Sequence, residues 1–257
     1  MILLVKAIAL NTYREAVRDK VLYNLVLFAI VMIFSSYVLG KISVYQEIKI
    51  IKDLGLAAIS VFGMVIAIFL GIGLVSKEID RRTLHSLLSK PVSRMEFLLG
   101  KYCGLCFTLL INISVMTTGL YGVLFVMREP FDLLLLQAIF LIYVKLIVLV
   151  GIAILFSTFT SAVLAGVFTS FVYVIGYFLA DLKNSIWTLI DAPPLRILAF
   201  TFYYMLPNFR NFDVKGVVVS GHMIPFQQIV LLTFYGLTYS LLLLVFSTWI
   251  FSKRNLK

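Results

Sequence analysis

The sequence predicts an all-α polytopic membrane protein: six transmembrane helices, an N-terminal interfacial helix, a short cytoplasmic helix between the second and third spans, and short external re-entrant helices before the last. Three observations predict it. Of the 257 residues 62% are apolar and only 13% are charged, where soluble domains carry about 25% charge. A soluble core could not hide that much apolar surface. The apolar residues fall in stretches of about 20, the length of helix that crosses a ~30 Å hydrocarbon core. Basic residues, finally, cluster on alternate connections.

Residues 2–20 form an amphipathic helix. At 100° per residue Val5, Ala9, Leu10, Tyr13, Ala16 and Val17 share one face, and Asn11, Arg14, Glu15, Arg18 and Asp19 share the opposite one. Helices of this kind lie in the headgroup plane; the alternative is a plain cytoplasmic start to the first span. Lys6 breaks the apolar run and no small-residue cleavage site follows, so the segment is not expected to be a secretory signal.

The spans are placed at residues 21–39, 54–76, 103–127, 133–156, 162–180 and 229–251. The fourth and fifth are cut from one apolar run, residues 133–180, too long for a single crossing. Its expected turn is Ser157-Thr158-Phe159-Thr160-Ser161. Closed helices satisfy their own backbone in lipid, which makes six of them the economical arrangement.

Lys and Arg set the orientation. One side of the membrane holds Lys6, Arg14, Arg18 and Lys20, then Lys77, Arg81, Arg82, Lys90, Arg94 and Lys101, then Lys253, Arg254 and Lys257: thirteen basic residues against five acids. The other holds eight basic residues against seven acids. The positive-inside rule places both termini and residues 77–101 in the cytoplasm of a cell (plasma or inner) membrane. Topology and anionic lipid account for the net charge of +10, so no nucleic-acid partner is called for.

Within residues 77–101, Asp80 is expected to cap a short helix whose Leu84, Leu87 and Leu88 form one apolar stripe flanked by Arg81, Arg82 and His85. Pro91 stops it. Ser93-Arg94-Met95-Glu96 is a capping box that starts a new helix, about 50 Å long from Arg94 to Met127 at 1.5 Å per residue. A leucine stripe on a charged connection suggests a protein partner with a groove.

The connection at residues 181–228 is the longest, too apolar to be disordered and rich in aromatics suited to the headgroup zone. Pro194 suits the first turn of a short helix. One or two short helices dipping into the outer leaflet would cap the space between the spans.

Candidate chemistry is sparse. No phosphate-binding GxxxxGK[ST] loop is present: Gly100-Lys101 has Met95 where glycine is required and Tyr102 where Ser or Thr is required. There is no HExxH, no GxSxG and no catalytic or metal-ligating constellation. Span interiors carry no acid, which weighs against a proton-coupled carrier. Lys145 is the one charge near mid-membrane. Either it faces a cavity, translocation path or subunit interface, attracting an anionic group, or it pairs with backbone carbonyls inside the bundle, or span four is shifted and Lys145 sits nearer the surface. Cys103 and Cys106 read as packing residues at a span end, and the pairs Gly71/Gly73, Gly100/Gly104 and Gly119/Gly122 as sites of close helix approach.

The run Ser76-Lys77-Glu78-Ile79-Asp80-Arg81-Arg82-Thr83-Leu84, followed by Leu87-Leu88-Ser89-Lys90-Pro91-Val92-Ser93-Arg94 and Gly100-Lys101, resembles the signature of type-2 ATP-binding-cassette (ABC) permeases. Arg82 stands where many members have glycine. The stretch Tyr203-Tyr204-Met205-Leu206-Pro207-Asn208-Phe209-Arg210-Asn211-Phe212 resembles the subgroup that includes the nitrous-oxide-reductase maturation permease. The resemblance implies a half-transporter. Two such permeases, as a homodimer or a mixed pair, would each dock on a separate ABC ATPase subunit holding the ATP and Mg, with no cofactor in this chain. Glu78, Arg81, Arg82, Thr83, Leu84, Leu87, Leu88, Pro91 and Arg94 would form the coupling segment in the ATPase groove. Phe202, Tyr203, Tyr204, Pro207 and Asn208 would form an external gate, and export is the implied direction. The competing classes are a six-span channel or secondary carrier, and a membrane scaffold or assembly factor without transport.

Overall fold

The computed structural model describes residues 2–18, 27–28, 30–32, 34–35, 38, 46–80, 93–189, 200–201 and 203–253. These build α1 (Ile2–Arg18), α2 (Glu47–Asp80), α3 (Arg94–Val126), α4 (Leu133–Phe159), α5 (Ala162–Leu189), a 3-10 turn η1 (Phe209–Phe212), the short α6 (Lys215–Val219) and α7 (Phe226–Lys253). No strand occurs among the described residues. Among the described residues five helices are long and apolar enough to cross a membrane: α2 over Glu47–Gly73, all of α3 and α4, α5 over Ala162–Leu179, and α7. The chain is an all-α polytopic membrane protein. The first predicted span is described at eight positions, all helical. Two of these, Phe28 and Met32, are buried: Phe28 meets Phe62 at 5.9 Å between ring centroids, and Met32 reaches Gly55.

A helix that is apolar all round belongs inside, and α4 sits there. Leu141, Leu146, Val148, Leu149, Val150 and Ile154 are all fully enclosed, and α2, α3, α5 and α7 pack around the helix. A side chain at Gly63 would strike Leu146, and one at Gly236 of α7 would lie 2.6 Å from Val144. Asp132 starts α4: its carboxylate accepts from the Leu134 N–H (3.0 Å) and pairs with Lys52 of α2 at 2.8 Å. Tyr121 of α3 donates to the Asp132 carbonyl at 2.6 Å. One residue thus caps one helix and ties two others to it.

The apolar run does fold back, in a turn shorter than expected: Ser157, Thr158 and Phe159 stay in α4, the Thr160 hydroxyl donates back to the Phe156 carbonyl (2.7 Å), and α5 begins at Ala162. The capping box is present too: Ser93 Oγ accepts from the Glu96 N–H (3.2 Å) while Glu96 Oε2 accepts from the Ser93 N–H (3.0 Å). One expectation needs correction. The helix of the second span begins at Glu47 rather than residue 54, because Lys52 is answered by Asp132 and can stay in the helix. Asp80 is the last residue of α2, and the short helix expected after it lies outside the described residues.

α1 packs along α3. A Cβ at Gly100 would lie 2.7 Å from Ile8, a Cβ at Gly104 would lie 2.6 Å from the Ala9 carbonyl, and Tyr13 meets Phe107 edge-on at 5.2 Å. The contacts advance in the same direction on both helices. Thr12 and Ala16 are completely buried in this seam, and Lys101, 1% exposed, pairs with Glu15 at 3.6 Å. The expected apolar stripe divides: Ala16 is buried against protein, whereas Leu10 is 47% exposed. Of the glycine pairs, Gly100/Gly104 admits α1 and Gly71 admits Ala153, while a Cβ at Gly122 would meet nothing within 4 Å.

Replacing Gly104 by Val should therefore unseat α1 and destabilise the chain by about 1–3 kcal/mol, the usual overpacking cost. Gly122→Val should leave stability unchanged. Reversible denaturation in mixed detergent micelles measures both, and equal effects would contradict the seam.

Candidate functional site

The one mid-span charge of α4 is fully enclosed. Lys145 is 1% exposed, and its Nζ donates to Ser60 Oγ of α2 (2.6 Å) and to the Tyr177 hydroxyl of α5 (3.2 Å). It also lies 5.4 Å from the Tyr177 ring centre and 5.8 Å from that of Tyr173, within cation–π range. Tyr177 in turn donates to Asp213 Oδ2 at 3.3 Å, and Asp213 pairs with Lys215 at 3.5 Å. A buried ammonium demands hydrogen bonds and a counter-charge. The hydroxyls are supplied by two neighbouring helices, and the negative charge reaches Lys145 through one tyrosine. Of the two sequence readings, pairing with backbone carbonyls is not what is found; the partners are side chains.

Asp213 is held in place by the connection between α5 and α7. Asn208 caps η1 by accepting from the Arg210 N–H (3.2 Å), and its own N–H donates to the Tyr235 hydroxyl of α7 (3.1 Å). Phe209 and Phe212, one turn apart, are 0% exposed. Phe209 packs on Tyr173 at 5.3 Å and Phe212 on Tyr235 at 6.0 Å between ring centroids. A Cβ at Gly176 would lie 2.6 Å from both the Pro207 carbonyl and the Phe209 ring, so only glycine lets the connection come this close. Val218 of α6 and Ile224 are buried, with the Ile224 N–H donating to Gln137 of α4 at 3.2 Å. The connection is an aromatic plug seated in this end of the bundle.

Among the predicted gate residues, Pro207 is buried and Asn208 half-buried in the plug. Tyr203 is half-buried and stacks edge-on against Tyr204, which is 74% exposed. Phe202 lies outside the described residues. Phe209 and Phe212 fall within the same aromatic stretch but outside the predicted gate set. Their signal was an aromatic pair at i and i+3 directly after an Asn that can cap a turn.

Of the predicted coupling residues, Arg81, Arg82, Thr83, Leu84, Leu87, Leu88 and Pro91 lie outside the described residues, and Glu78 is in the last turn of α2. Arg94 is engaged within the chain. Its guanidinium donates to the carbonyls of Phe251 and Ser252 (3.1 Å to the latter) and sits over the Phe251 ring. A cation on the last carbonyls is a good terminus for α7.

Between α2 and α5 runs an apolar cleft of about 820 Å³, lined by Ile68, Phe69 and Ile72 on one wall and Gly166, Val167 and Phe171 on the other. Met64 of the cleft is one helical turn from Ser60 on α2.

Residues 6–256 match the family model described as ABC-2 family transporter protein. No curated protein matches the chain.

Phe212→Ala should empty the seat between α4 and α7, at about 3–5 kcal/mol for a buried aromatic. In a Ser60→Cys background it should raise maleimide labelling at position 60, whereas Tyr204→Ala, at an exposed site, should not. Equal labelling in the two variants would mean that the plug does not seal this end.

Proposed function

The chain belongs to the ABC-2 transporter family and is its membrane permease component, and from that premise we propose that it is half of an exporter driven by separate ATPase subunits. The match over residues 6–256, together with the five helices among the described residues that are long and apolar enough to cross a membrane, supports the reading. In this reading residues 1–257 form one permease domain that pairs with a second permease, as homodimer or mixed pair, in the lipid of the cell membrane. ATP and Mg bind on the partner ATPases. The excess of Lys and Arg near the termini and over residues 77–101 supports a cytoplasmic position for them.

Load from the ATPase enters at residues 81–92, between the end of α2 and the capped start of α3, through Leu84, Leu87 and Leu88 with Glu78, Arg81, Arg82, Thr83 and Pro91 around them. Arg94 contributes by fixing α3 to the end of α7, so that the two move together. At the other end the plug acts as the outer gate, with Pro207 and Asn208 at its seat and Tyr203 and Tyr204 beside it; Phe202 is proposed as a further gate residue. Lys145 faces the path that the gate closes. The pattern Tyr203–Phe212 supports kinship with the nitrous-oxide-reductase maturation permease.

Co-expression with a cognate ABC ATPase and affinity capture tests the coupling. Leu84→Asp and Leu87→Asp should each weaken capture by about 2 kcal/mol or more, as for an anchor residue in a groove, without lowering the melting temperature of the permease. Undiminished capture by both variants would overturn the assignment.

A further inference from the structure

We propose that Asp213 is a built-in competitor for an anionic group of the cargo, holding the Lys145 site until the gate opens. The inference rests on the permease reading and names the chemistry its path selects. Lys145 is enclosed at mid-depth, about 18 Å along α4 from Leu133 at 1.5 Å per residue. Its hydrogen-bond partners Ser60 and Tyr177 are neutral, and its negative charge comes from Asp213, one hydroxyl further on.

That carboxylate does not belong to a crossing helix. It lies between η1 and α6, in the plug. When the plug lifts, Asp213 leaves with it, and its pairing with Lys215, two residues away, travels along. Lys145 stays on α4. A buried ammonium stripped of its counter-charge is strongly unfavourable, so the open site recruits an anion in place of Asp213. The donors are already arranged for one: an ammonium and the Ser60 and Tyr177 hydroxyls converge from α4, α2 and α5. The apolar cleft that Met64 lines offers an alkyl chain a place beside them. A phosphate or carboxylate carried on an amphiphile fits both features. Competition of this kind lowers apparent affinity by the fraction of time the competitor is seated, and anion binding in turn favours the lifted plug.

The test uses the full chain in phosphatidylcholine nanodiscs, with empty nanodiscs subtracted. Binding of decyl phosphate and of neutral decyl glucoside is measured by titration calorimetry. Asp213→Asn should tighten decyl phosphate binding by about fivefold or more, the range of an ordinary coupling between sites, and leave decyl glucoside unchanged. Adding Lys145→Met should remove that gain, and Lys145→Arg should keep it. Asp213→Ser, which removes the carboxylate through a different side chain and leaves the three anion donors in place, should act in the direction of Asp213→Asn and serves where the latter does not melt cooperatively. Inorganic phosphate that displaces decyl phosphate would assign the site to free anions, and failure to displace would assign it to the amphiphile headgroup; either result supports the exchange. Unchanged or weaker decyl phosphate binding in both Asp213→Asn and Asp213→Ser, or equal tightening of the two probes, would overturn the proposal. ATPase capture by the same variants is read separately, so loss of anion exchange with capture intact refutes the competitor and spares the permease.

Discussion

A charged lysine cannot sit alone in the middle of a membrane protein, and one end of this bundle is organised around answering Lys145. The residue has no route to the headgroups, because α4 is enclosed along most of its length. Its partners must therefore be brought to it. Ser60 fixes the rotation of α2 about α4, Tyr177 fixes that of α5, and Asp213 fixes the depth of the plug. Hydrogen bonds to a buried charge are stronger than neutral ones, and leaving the charge without them is more costly still. A single ammonium thus sets the register of two crossing helices and the seat of a connection.

The opposite end is held by a different device. There α3 begins with its own capping box, admits α1 through Gly100 and Gly104, and grips the end of α7 through Arg94 and the stacked Phe97 and Phe251 rings. Close backbone approach at small residues is the usual adhesive between helices in lipid, where apolar burial gives no preference for protein over acyl chains. Lys101 would be an intruder in such a seam were Glu15 not beside it. The result is a three-helix assembly whose parts share one origin, the first turns of α3.

Local signals were legible in the sequence; long-range ones were not. Ser93 and Glu96 announce the capping box because both halves lie within four residues. The polar run at residues 157–161 announces a turn because an apolar stretch that long must fold back. Lys145 stood out, yet its partners lie at positions 60, 177 and 213, and no periodicity links them. The same limit explains Phe209 and Phe212: their seats are on α4, α5 and α7, so pattern alone marks them as aromatic without marking them as plug. α2 begins earlier than hydropathy alone indicates because hydropathy counts Lys52 as a charge, whereas the fold counts it with Asp132. The glycine pairs looked alike in sequence, and only the neighbours separate Gly104, which is pressed against α1, from Gly122, which faces open space.

The two ends are linked by a rigid element. α2 runs without a break from Glu47 to Asp80, and Ser60 is twenty residues from its Asp80 end, about 30 Å at 1.5 Å per residue. A tilt imposed on the end of α2 next to residues 81–92 is carried along the helix to Ser60. α2 bears on α4 at Gly63, beside Leu146 and one turn from Ser60, and again at Gly71, against Ala153. Rotation of α2 about these contacts turns the direction in which Ser60 meets Lys145, and hydrogen bonds weaken steeply with angle. Loss of one donor contact at Lys145 shifts the burden to Tyr177, the residue that also holds Asp213. Tension at one end of α2 therefore reaches the plug through two hydroxyls and one ammonium, without any rearrangement of the enclosed core of α4.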